Sequence, residues 1–75
     1  MYNKQIAKEI LGILRGLEKR KNKEMEMYKR GELSIKAIVL FVSNHYFDYK
    51  TEQIKKEIFN DEQIANTIKM YEENK

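Results

Sequence analysis

Apolar residues along this chain recur in helical rhythm, and polar or turn-forming residues divide them into groups. Asn3 has the side chain of an N-cap. Ile6, Ile10, Ile13, Leu14 and Leu17 follow it at the three-and-four spacing of an amphipathic helix. Gly12 and Gly16 lie off that stripe, and each costs roughly 1 kcal/mol against alanine in a helix interior. From Glu18 to Glu24 the chain reads EKRKNKE, with no apolar residue. The spacings Arg20–Glu24 and Glu26–Arg30 favour helix continuation. Met25, Met27 and Tyr28 resume the apolar contacts, and Gly31 is a natural stop. The balance predicts one long helix over residues 4–30, with a loop in residues 18–24 as the alternative.

The stretch SIKAIVLFVSNHYF, residues 34–47, is apolar over most of a helical circumference. Ile35, Val39, Val42 and Tyr46 share one line, and Lys36, Ser43 and Asn44 supply the polar strip. Such a helix is central and packed on more than one face. Ser34 is its expected cap. A strand over residues 37–42 would suit Ile, Val and Phe, but no second strand exists to pair with it. Thr51 then caps a short helix carrying Ile54, Ile58 and Phe59. Asn60 and Gln63 have capping-box spacing before a last helix with Ile64, Ile68 and Tyr71 on one face. The expected fold is all-α, a small bundle of about four helices with a long N-terminal helix and a buried central helix. Residues 1–75 form one domain, with the helix over 4–30 set against a three-helix unit over 34–73.

At 75 residues the chain is near the size where one core is only marginally sufficient, which favours pairing. There is no cysteine to form a disulfide or thiolate metal site, and no proline to interrupt helices. No apolar run approaches a membrane span and no signal pattern opens the chain. A soluble, cytoplasmic protein is expected. Net charge is +3, but residues 1–32 carry nine Lys/Arg against five Glu, a balance of +4. Residues 33–75 carry six Lys against seven acids, a balance of −1. Basic character therefore belongs to the N-terminal part. Twelve Lys against three Arg, beside nine Ile and six Asn, is the usage of an A/T-rich genome.

Catalytic patterns are sparse. His45 is the single histidine and flanks an apolar helix, where a structural role is expected. Asp61-Glu62 opens a helix and suits its dipole, while Glu72-Glu73 closes one and is read as solvated. Phosphate loops, nucleophile elbows and the zinc-protease helix motif are absent from the sequence. The reading is of a non-catalytic protein with no cofactor, no metal and no small-molecule substrate.

The short helix TEQIKKEIF, the turn ND and the final helix EQIANTIKMYEE follow the buried central helix. That order resembles the three-helix core of helix-turn-helix DNA-binding domains. Ile54, Ile58, Ile64 or Ala65, and Ile68 match the apolar positions. The resemblance implies that the last helix enters the major groove, with Gln63, Asn66 and Lys69 as candidate contacts. Lys55 and Phe59 stand where the family usually has small residues. The last helix also carries Asp61, Glu62, Glu72 and Glu73 against Lys69, which opposes phosphate binding. Lys19, Arg20, Lys21 and Lys23 offer a second nucleic-acid route as a run of cations.

An interaction module accounts for more of the chain. The stripe Ile6, Ile10, Ile13, Leu14 and Leu17, with Tyr28, is the expected interface with a second copy or a protein partner. A membrane-surface role is disfavoured by a first helix without aromatic anchors beyond Tyr2. The sequence thus predicts a regulatory or inhibitory protein-binding module, dimeric, of the kind phages and mobile elements encode. A small helix-turn-helix DNA-binding regulator is the alternative.

Overall fold

Each helix start is set by a short polar side chain. The structure, a computed structural model, describes residues 2–73. Five helices occur in the order α1 (Lys4–Lys19), α2 (Lys23–Lys29), α3 (Ile35–His45), α4 (Glu52–Ile58) and α5 (Asp61–Glu73). No strand occurs among the described residues. Asn3 Oδ1 accepts the Ile6 amide at 3.1 Å, Ser34 Oγ the Ala37 amide at 3.1 Å and Thr51 Oγ1 the Ile54 amide at 3.2 Å. Each bond satisfies one of the amides that a helix start leaves without an internal partner.

The continuous helix expected over residues 4–30 is broken. Lys21 takes the left-handed conformation at φ 53°, its amide donating to Glu18 and that of Asn22 to Leu17. These are the two closing bonds of a Schellman motif. Asn22 then caps α2, its side chain accepting from Glu24 at 2.9 Å and Met25 at 3.4 Å. Two i,i+4 pairs worth a few tenths of a kcal/mol each could not hold the helix straight. Met25 is fully enclosed in the core, and burying it is worth about 1.5–3 kcal/mol, which outweighs those pairs. Gly31, at φ 78°, ends α2 in the same way, with Gly31 donating to Tyr28 and Glu32 to Met27.

The core is assembled from Ile10, Leu14 and Leu17 of α1, Met25 of α2, Ile38 and Val42 of α3, Phe59 after α4, and Tyr71 of α5. α1 packs against α5, α3 and α2, and α3 against α5 and α2. α3 is thereby central, as expected of the most apolar segment. Its polar strip differs from expectation. Ser43 is fully buried and donates to the Leu40 carbonyl at 2.8 Å, so Lys36, Leu40 and Asn44 form the exposed line instead. A serine satisfied within its own helix can be enclosed at little cost.

Gln63 ties the start of α5 to the start of α1. Its side-chain oxygen accepts the Asn3 amide at 2.6 Å and its side-chain nitrogen donates to the Asn3 carbonyl at 3.0 Å. Asn60 caps α5 through the Gln63 amide at 2.8 Å, which is half of the predicted capping box. The other half is diverted into this clamp between α5 and the start of α1. No helix among the described residues is long and apolar enough to cross a membrane.

Candidate protein-docking groove

In the segment leaving α3, Phe47 and Tyr49 both turn towards Phe59, while Asp48 between them is exposed. Phe47 meets the Phe59 ring edge-on at 5.6 Å, and Tyr49 meets it at 6.0 Å. α4 carries no buried residue of its own; it delivers Phe59 to the core just past its end. Tyr46, the residue that closes α3, is 43% exposed. On a continued helix it would share the line of Ile35, Val39 and Val42, but α3 ends one residue before it at His45.

Tyr46 and Phe47 form one wall of an open groove of about 460 Å³ whose floor and second wall come from α1. Gly12, Ile13 and Gly16 line it, with Glu9 and Arg20 at either end. A Cβ at Gly12 would meet nothing within 4 Å, and at Gly16 only the tip of Arg20, at 3.6 Å. The glycines are therefore not required by any close approach within the chain. Half-buried Ile13 and the two aromatic residues give the groove its apolar character.

The other expected interface residues lie elsewhere. Ile10, Leu14 and Leu17 are fully buried in the single chain, so they are unavailable to a partner while it is folded. Ile6 packs against the same core. Tyr28 does too, with its ring edge-on to Tyr71 at 6.4 Å. Of the six, Ile13 alone reaches the groove. The stripe belongs to the chain's own core because α3 and α5 close over it, which the periodicity of one helix does not reveal.

The candidate nucleic-acid residues separate into two groups. Gln63 is fully buried, Asn66 donates to the Glu62 carbonyl at 2.8 Å, and Lys69 is exposed. These three do not form a common open face on α5. Of the residues matched to the helix-turn-helix pattern, Ile64 is buried, Ile58 and Ile68 are half-buried, and Ile54 and Ala65 are exposed. Lys19, Arg20, Lys21 and Lys23 are all exposed around the α1–α2 turn, and exposed Lys4, Lys8 and Arg15 continue the positive face along α1.

Among titratable groups, burial pushes Tyr49 up to about 12. Tyr71 is raised by burial first and then by the hydrogen bond its hydroxyl donates to the Glu18 carboxylate. His45 is exposed beside Phe41, with ring centres 4.5 Å apart. No group of three or more metal-ligating side chains is gathered among the described residues. No protein family, curated protein or solved structure matches this chain.

Proposed function

We propose that this protein is a non-catalytic, cytoplasmic regulatory or inhibitory module that docks on a protein partner through the groove between α1 and the segment after α3. The observation that carries this reading is the pairing of exposed Tyr46 with Phe47 and Ile13 over a glycine-lined floor. Aromatic side chains beside open apolar space are the usual anchors of protein interfaces. Tyr46→Glu changes an exposed side chain and is expected to keep the fold. In a tagged pull-down after nuclease treatment, wild-type protein should retain a partner that the variant loses. A partner held equally by both would refute the groove as the docking site.

Nucleic-acid binding is the second reading, and the exposed cations of α1 and its turn support it better than α5 does. Replacing Lys19, Arg20, Lys21 and Lys23 by alanine should then lower the slope of log K against log salt by up to about three to four. An unchanged slope removes those four cations from any nucleic-acid interface.

A further inference from the structure

We infer that the occupant of the groove is the α1 helix of a second copy, lying antiparallel across a two-fold axis. The inference rests on the docking reading above and names the partner. Glu9, Ile13, Gly16 and Arg20 all line the groove, at successive spacings of four, three and four residues. That spacing is a palindrome. In an antiparallel pair, Glu9 faces Arg20 of the second copy, and Ile13 faces the second copy's Gly16.

Charge and size are thus both self-complementary. Opposite charges meet at each end, and in the middle a branched side chain meets a residue with none. An isologous interface requires this property, since one patch must match itself. The space is open for it: a Cβ at Gly16 meets only the end of the flexible Arg20 side chain, and one at Gly12 meets nothing. A parallel pairing is disfavoured, because it would set Glu9 against Glu9, Arg20 against Arg20 and Ile13 against Ile13. It would also bring the two basic turns side by side, whereas antiparallel pairing separates them. Tyr46 and Phe47, beside the seam, extend the apolar contact past the helix pair.

Sedimentation equilibrium from low- to high-micromolar protein tests the arrangement. Wild type should dimerise. Glu9→Arg and Arg20→Glu should each weaken the dimer about tenfold, because each replaces two attractive contacts with two repulsive ones. Glu9→Arg combined with Arg20→Glu should restore it, since the opposite charges then meet again. Gly16→Leu fills the hole meant for Ile13; it should give a monomer that melts higher than wild type, because leucine favours the helix. A wild-type protein that stays monomeric throughout would overturn the inference, as would a dimer in which the double reversal fails to restore what the single ones lose. A monomeric chain whose other protein partner is lost on Tyr46→Glu would leave the docking reading standing while this one falls. Restoration by the double reversal, with another protein held equally by wild type and Tyr46→Glu, would keep the groove as the seam between copies and place that other protein elsewhere on the chain.

Discussion

Tyr49 shows how one side chain can carry two opposing effects. Its ring packs on Phe59, while its hydroxyl is enclosed without a hydrogen-bond partner among the described residues. An enclosed polar group left unsatisfied costs about 1–3 kcal/mol. Tyr49→Phe keeps the ring contact and removes the cost, so urea unfolding should show a gain of about 1 kcal/mol. Tyr71 is the contrasting case, with its hydroxyl held by Glu18. Both tyrosines keep their protons more tightly in the folded chain than the ordinary value of about 10. Their contribution is complete below about pH 10 and is lost as pH rises towards and beyond 12. The urea midpoint should therefore fall across that alkaline range, and fall less in Tyr49→Phe. A midpoint indifferent to pH there would show that neither phenol is protected by the fold.

At the scale of elements, the α1–α2 corner is the least expected feature. Gly31 announces its own left-handed turn, but Lys21 does the same work at a position whose side chain disfavours it. The left-handed conformation costs a non-glycine residue roughly 1–2 kcal/mol. Lys21→Gly relieves that cost, partly offset by the freer unfolded chain, for a net gain of about 0.5–1 kcal/mol. In a thermal melt this corresponds to a rise of several degrees. A lower melting point would mean that the lysine side chain contributes more than its backbone costs. Asn22 was the legible clue to the break, since asparagine favours helix starts and the seven residues around it include nothing apolar. The ion-pair spacings on either side concealed it. Tyr46 shows the same limit at the end of α3: periodicity finds a helix more reliably than it finds the last residue of one.

For the whole molecule, the decisive arrangement is the closure of α3 and α5 over the apolar stripe of α1. Leu17 is fully enclosed by the single chain. Leu17→Asp should therefore abolish helical circular dichroism at every protein concentration, because an unpaired carboxylate cannot be buried there. A folded monomer from that variant would instead place Leu17 at an interface between copies. Closure also depends on the Gln63 clamp, which joins positions sixty residues apart in sequence. No local pattern predicts that contact, because glutamine at the third position of a helix ordinarily turns back to its own cap.

By itself the sequence determined the all-helical class, the caps at Asn3, Ser34 and Thr51, the stop at Gly31 and the central place of the Ile35–His45 helix. These follow from local chemistry: which side chains satisfy a helix end, and which spacing puts apolar groups on one face. Only the tertiary structure decided which apolar residues are enclosed by the chain itself and which remain open. Ile10 and Ile13 lie on the same amphipathic helix, yet Ile10 is sealed in the core and Ile13 lines the groove. That difference arises because exposure belongs to the packing of neighbouring helices around a residue, and not to its position within its own helix.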